Sequence, residues 1–315
     1  MRIAALLPHL GVYGGVRRFL ELGNRLVRRG HRFTIYVADG SKPAWLPFEG
    51  EVRPLDEVGA TVHDALLCGD PSVLPVLAEA PARLRVLLVL GPRYVKKYRS
   101  LWRPDWLVVG VASDWNRYYP DVAGLTLPGG VNVEAFRRVP VERREGFQAL
   151  AFGRPDKRVK GSATVLRALA PLRRSGVRLT LFDREEIRLP WWARGDWVRT
   201  VVSPPQEGLP ALYSAADVFV SGEVSAGWSN SVAEAMACGT PVVATPSGTA
   251  DLAIDGTTAI VVPPRDAKAM RAAVERLRGD EGLRARLAGA ARAHVEQFSW
   301  ERCAERWEKV LQERL

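Results

Sequence analysis

Cysteine is scarce in this chain of 315 residues: there are three, Cys68, Cys238 and Cys303, and they lie far apart. Their spacing fits neither a disulfide framework nor a Cys-x-x-Cys metal clip, so buried reduced thiols are expected. Histidine is nearly as rare, at four. No apolar run approaches the ~20 residues that a membrane-spanning helix needs. Met1 leads straight into the short strand-like run 2–7, without a signal-peptide pattern. These absences point to a cytoplasmic protein, at most peripheral at the inner face of a membrane. Asp-x-Asp is missing as well. No acidic pair stands ready to hold a divalent ion beside a phosphate, and no metal is expected.

Acidic residues fall short of basic ones, 35 against 45, leaving a net charge of +10. Such an excess suits nucleic acid, anionic lipid or phosphorylated small molecules. The charge is scattered, with no basic tail and no helix-turn-helix, zinc-finger or RNA-binding motif, so nucleic acid is not an expected partner. Thirty-eight of the 45 cations are arginine, the side chain best suited to bidentate anion contacts.

What is present is an alternation. Short apolar runs at 3–7, 32–38, 65–68, 85–90, 106–111 and 124–127 read as strands, and amphipathic stretches lie between several of them. In 16–29, Phe19, Leu20, Leu26 and Val27 share one face; Arg17, Arg18, Glu21, Arg25 and Arg28 are expected on the solvent side. After the turn 128–132 and a polar stretch, 137–146, the pattern restarts. Strands are expected at 149–153, 178–182, 198–202, 218–221, 241–244 and 259–262, and helices at 162–175, 209–215, 231–238 and 267–278. This is an α/β fold of two Rossmann-like, doubly wound domains, 1–145 and 146–298, with a terminal amphipathic helix in 299–315 expected to pack back on the first domain. Ligands of such sheets sit beyond the carboxyl ends of the strands, and two facing halves would form a cleft.

Three loops carry chemistry. His9 to Gly15 ends in Gly14-Gly15 before a helix, whose open N–H groups suit a phosphate; a plain flexible turn is the alternative. In Phe152-Gly153-Arg154, Arg154 follows a strand and Lys160 precedes a helix, so both cations are placed to hold a diphosphate; a solvated basic loop is the alternative. Glu234 stands three residues after Ser231, the spacing of a helix-capping box, and spacing alone favours that cap.

The run Glu234-Ala-Met-Ala-Cys-Gly-Thr-Pro-Val-Val-Ala-Thr245 resembles the nucleotide-binding signature of family-4 retaining glycosyltransferases of the GT-B fold. Gly14-Gly15, Pro128-Gly129-Gly130-Val131-Asn132, Gly153-Arg154 with Lys160-Gly161, Leu212 to Val220 and Phe298-Ser299-Trp300 resemble other segments of that family. The resemblance implies transfer of a sugar from a nucleotide-diphosphate donor to a glycan or lipid-linked acceptor. It implies that Arg154 and Lys160 neutralise the diphosphate and that Glu234 holds the ribose, which outweighs the cap. Gly227, Trp228, Ser229 and Asn230 would face the donor sugar, Val202 and Ser203 the base, and Gly14 and Gly15 the phosphate. His9 is expected near the acceptor or sugar, with an incidental loop histidine as the alternative.

Two departures stand out. The family has a second glutamate eight positions before the first; here that position is Ala226, with Glu223 three residues upstream. The segment Leu90 to Tyr94 also lacks the histidine that many members carry. A catalytically impaired sugar-nucleotide-binding member, or another GT-B enzyme such as a nucleotide-sugar epimerase, is therefore the alternative. Finally, 93–103 interleaves five cations with Tyr94, Tyr98 and Trp102. Contact with an anionic membrane is one use of such a segment; an ordinary helix with its aromatics in the core is the expected one.

Overall fold

A computed structural model describes residues 1–315, Arg93 by its backbone alone. The described residues divide into two compact units, Met1–Gly130 with Trp300–Leu315, and Val131–Ser299.

In the first unit, β1 (Arg2–Leu6), β2 (Arg32–Val37), β3 (Glu51–Pro54), β4 (His63–Cys68), β5 (Ala82–Val89), β6 (Leu107–Gly110) and β7 (Leu125–Thr126) form one sheet in the order β3-β2-β1-β4-β5-β6-β7. Every pairing is parallel. Parallel sheets are covered on both faces, which is why these strands read as unbroken apolar runs. Ile3, Ala5, Ala65 and Leu67 face Phe19, Leu20 and Leu26 of α1 (Gly14–Arg28). Ala4, Leu6, Leu66 and Cys68 face Leu74 and Leu77 of α2 (Leu74–Glu79) and Tyr98 of α3 (Val95–Leu101).

The segment 93–103 spends its aromatics inside. Tyr98 is buried and its hydroxyl donates to the Gly69 carbonyl at 2.6 Å, while Tyr94 and Trp102 pack against the same core. Lys96, Lys97, Arg99 and Arg103 are exposed; the side chain of Arg93 lies outside the described residues. No helix among the described residues is long and apolar enough to cross a membrane.

In the second unit, β8 (Phe147–Phe152), β9 (Val177–Asp183), β10 (Val198–Val202), β11 (Val218–Ser221), β12 (Val242–Ala244) and β13 (Ile260–Val261) are again all parallel, in the order β10-β9-β8-β11-β12-β13. The helices α4 (Ser162–Leu169), α5 (Leu209–Ser214), α6 (Asn230–Ala237), α7 (Ala267–Gly279) and α8 (Glu281–Val295) cover its faces. Strand order reverses between β8 and β11, the switch point beside which ligands of open α/β sheets bind.

Several expectations shift. Helix α1 starts at Gly14, not Val16. Its supposed solvent face is largely covered: Arg18, Glu21 and Arg25 are buried. The cover is α9 (Trp300–Arg314), which lies in the first unit and packs on α1. Arg25 pairs with Glu21 and donates from Nε to Glu301 at 3.0 Å; Arg29 pairs with Glu308. Burial lowers the Arg18 guanidinium to about 10. Residues 131–145 belong to the second unit, where the Val131 N–H donates to Phe298 at 2.9 Å and Arg143 pairs with Asp217. Helix α4 ends at Leu169 and continues as a 3-10 turn, because Pro171 cannot donate an α-helical bond. The three cysteines are free and buried, and burial raises Cys68 and Cys238 to about 12 and Cys303 to about 11.

Candidate functional site

The loops leaving β8 and β11 flank the switch point of the second sheet, and they are joined to each other. The Val224 N–H donates to the Val159 carbonyl at 2.8 Å. Gly161 (φ +68°) lies so close to Gly222 that a Cβ on it would sit 1.7 Å from the Gly222 carbonyl oxygen. Only glycine combines that left-handed backbone with that approach.

Lys160 stands at this junction. Its Nζ donates to Glu223 Oε1 at 2.7 Å and lies 5.3 Å from the centre of the Phe152 ring. Glu223 is buried, its Oε2 accepts from Ser229 Oγ at 2.9 Å, and its carbonyl accepts from Thr245 Oγ1. Arg154 leaves the end of β8 in another direction. Its backbone N–H donates to Ser162 Oγ at 2.9 Å, and Ser162 donates to the Phe152 carbonyl at 2.6 Å, so the loop is closed by one hydroxyl. The Arg154 guanidinium lies 3.5 Å from Asp183 Oδ2 and 3.2 Å from Glu185 Oε1. Burial pushes the Asp183 carboxyl above the usual carboxylate range, against the Glu185 N–H and Arg154, which favour its charge. Ser203, the residue after β10, takes a left-handed backbone (φ 50°) and donates to the Asp183 carbonyl at 2.6 Å. Val202 beside it is exposed. Arg154, Asp183 and the 202–203 turn thus follow one another along the carboxyl ends of β8, β9 and β10.

On the other side of the switch point, residues 226–229 enter α6. Ser229 N–H donates to the Gly248 carbonyl at 2.8 Å and Ala226 N–H to Ser247 Oγ at 2.9 Å. The Trp228 ring packs on Phe298, with centroids 5.3 Å apart, so its side chain is spent on the core and Gly227 and Trp228 offer mainly backbone. Asn230 is the first residue of α6 and is partly exposed. The capping-box spacing of Ser231 and Glu234 does not produce a cap: Ser229 is the N-cap, and Glu234 is buried in the second turn. Glu234 Oε2 accepts from the Tyr213 hydroxyl at 2.8 Å instead.

In the first unit, His9 is exposed. Its Nδ1 accepts from the Gly11 N–H at 3.2 Å, which puts the proton of the neutral ring on Nε2, and its ring lies 5.0 Å from that of Tyr13. Gly14 and Gly15 open α1, whose N-cap, Tyr13, makes no side-chain capping bond.

Asp183, Tyr213 and the role of Glu223 escaped the sequence reading. Asp183 and Glu223 carry one shared signal, an acidic residue at or just after the end of an apolar strand.

Residues 146–280 match the family model of glycosyl transferases group 1. A D-inositol 3-phosphate glycosyltransferase of Salinispora arenicola is 42% identical over 102 residues, 31% of this chain and 23% of that protein. The match thus spans about a quarter of that relative. A phosphatidyl-myo-inositol mannosyltransferase of Mycolicibacterium smegmatis is 26% identical over 350 aligned positions, covering 95% of this chain and 90% of that one. The Anabaena Alr3699/HepE structure, solved with UDP-glucose, superposes with a TM-score of 0.80 at 18% identity, covering 99% of this chain and 100% of that one. The fold is GT-B, built from two Rossmann-like units.

Proposed function

We propose that this protein is a glycosyltransferase that moves a hexose from a nucleotide-diphosphate sugar to a hydroxyl of a glycan or lipid-linked acceptor, with retention and without a metal. The observation that carries the reading is the pair of cations, Arg154 and Lys160, held at the carboxyl end of β8 inside the segment that matches the family.

In the reaction the acceptor oxygen bonds to the anomeric carbon on the face from which the nucleotide leaves. The bond from that carbon to the phosphate oxygen breaks, and the departing phosphate takes the acceptor proton. The transition state has oxocarbenium character, as in glycoside hydrolysis. Negative charge grows on the diphosphate, and fixed cations act best where charge develops. Arg154 and Lys160 take that role. Glu234, oriented by Tyr213, is assigned to the ribose hydroxyls, the backbone of 227–229 with Asn230 to the sugar, and the turn at Val202 and Ser203 to the base. The loop of His9, Gly14 and Gly15 is assigned to acceptor, sugar and phosphate. Each charged contact contributes roughly 1.5–3 kcal/mol, so the two cations supply about 3–6 kcal/mol, and with the ribose contacts binding reaches about −8 kcal/mol, near micromolar affinity.

The reading is tested by turnover of nucleotide sugars after chelation of metals, with product configuration read by NMR. Lys160→Ala should lower kcat/KM by roughly 10- to 150-fold, the loss of one charged contact. Unchanged turnover in that variant would remove Lys160 from the site. Nucleotide binding without glycoside formation in the native protein, over a broad acceptor panel, would favour an impaired binding member, the reading to which Ala226 lends weight.

A further inference from the structure

The position where a carboxylate is expected holds Ala226, yet a buried carboxylate stands nearby with a different target. Glu223 is 9% exposed in its side chain and is fixed on both oxygens, by Lys160 Nζ at 2.7 Å and by Ser229 Oγ at 2.9 Å. Its own backbone is held by Thr245 Oγ1, by the Val224–Val159 hydrogen bond and by the packing of Gly222 on Gly161. The carboxylate is therefore the rigid member of the ion pair. Lys160 is the soft one, a point charge on a flexible stem, 38% exposed. Such a stem, left alone on a surface, samples many rotamers. Held by one N–H to Glu223 and lying near the Phe152 ring, it keeps its remaining N–H groups for an incoming anion.

We propose that Glu223 is the positioning residue of Lys160: it fixes the ammonium for the donor diphosphate and, by its charge, weakens that ammonium's hold on the released nucleotide. The proposal rests on the donor-site reading above. The physics sets two opposed effects. The carboxylate orders the lysine, which favours the reacting geometry. The same negative charge repels a diphosphate bound to the same ammonium, which favours product release.

Two substitutions separate these effects. Glu223→Gln keeps reach and hydrogen bonding and removes the charge. Nucleoside diphosphate, probed with UDP, GDP, ADP and dTDP by calorimetry, should then bind roughly 3- to 10-fold tighter, while kcat falls. Glu223→Asp keeps the charge and loses reach, so kcat should fall with no tightening. In a Lys160→Ala background, Glu223→Gln should no longer lower kcat, because the ammonium that it positions is gone. A purely structural role for Glu223 predicts instead a lower melting temperature and weaker binding in both variants. Unchanged or weakened nucleotide affinity in a folded Glu223→Gln protein, with Lys160→Ala still losing affinity, overturns the inference and leaves the donor site standing. Unchanged affinity in Lys160→Ala overturns the donor site itself. If Glu223→Gln fails to fold, Glu223→Asp decides: reduced kcat at native nucleotide affinity supports the positioning role, and native kcat ends it.

Discussion

Glu234 illustrates how little spacing says about a carboxylate until its depth is known. Three residues after Ser231 it fits a helix cap, but it lies in the second turn of α6, buried, with the Tyr213 hydroxyl donating to it at 2.8 Å. A hydrogen bond to a charged group contributes about 1.5–3 kcal/mol, so Tyr213→Phe should destabilise the second unit by about that amount. Chemical denaturation measures this; a change within about 0.5 kcal/mol, the range of ordinary surface substitutions, would show that the hydroxyl does not hold Glu234. His63 offers a second residue-scale test. It is buried at the start of β4, its Nε2 without a hydrogen-bond partner among the described residues. Burial, and then the charge of Arg2, push it below the usual histidine range. The unfolded chain therefore binds this proton more readily than the folded one. Its stabilising contribution is present above about pH 6.5 and is lost as pH falls through the lowered folded value. His63→Phe keeps a ring against Tyr36 and cannot titrate. The variant should lose less unfolding free energy than the native protein between about pH 7 and pH 5; equal losses would contradict the assignment.

At the scale of elements, the strands were the most legible part. Val218–Ser221 falls where the apolar run places it, because a parallel strand buried by its neighbours has no polar alternation to blur it. Strand β3 was missed because Glu-Val-Arg-Pro at a sheet edge has little to bury. Helix α8 was missed because Ala, Gly and Arg dilute its apolar stripe, although Asp280 caps it by accepting from Leu283 N–H at 2.8 Å. The polar face of α1 was misread for another reason: a helix some 280 residues later covers it, and Glu301 and Glu308 supply partners that local sequence does not display. The loops after β8 and β11 were legible as residue types, Arg154, Lys160 and Glu234, but not as a joined structure. That junction depends on the contact of Gly161 with Gly222, which is invisible in either segment alone. Gly161→Ala puts a Cβ against a backbone carbonyl at a left-handed position, so both loops must move. The cost should exceed the roughly 1–3 kcal/mol of backbone strain alone. Thermal unfolding and nucleotide affinity should fall together in this variant; native values for both would mean that the two loops are not mechanically joined.

For the whole molecule, the chain passes between its units twice, at 130–131 and again at 299–300, so the terminal helix completes the unit in which the chain began. The net charge of +10 is carried largely by arginine along the whole length, consistent in sign with an anionic donor. If the second unit binds a nucleoside diphosphate through Lys160, that ligand must raise the apparent stability of the native state. The most direct measurement is thermal unfolding with saturating UDP, GDP, ADP or dTDP, with and without magnesium, in native protein and Lys160→Ala. At about 100 times Kd the native state gains about 2.7 kcal/mol. One nucleotide should give a clear upward shift, independent of magnesium and reduced in Lys160→Ala; no shift with any of the four in folded protein would rule out this donor site.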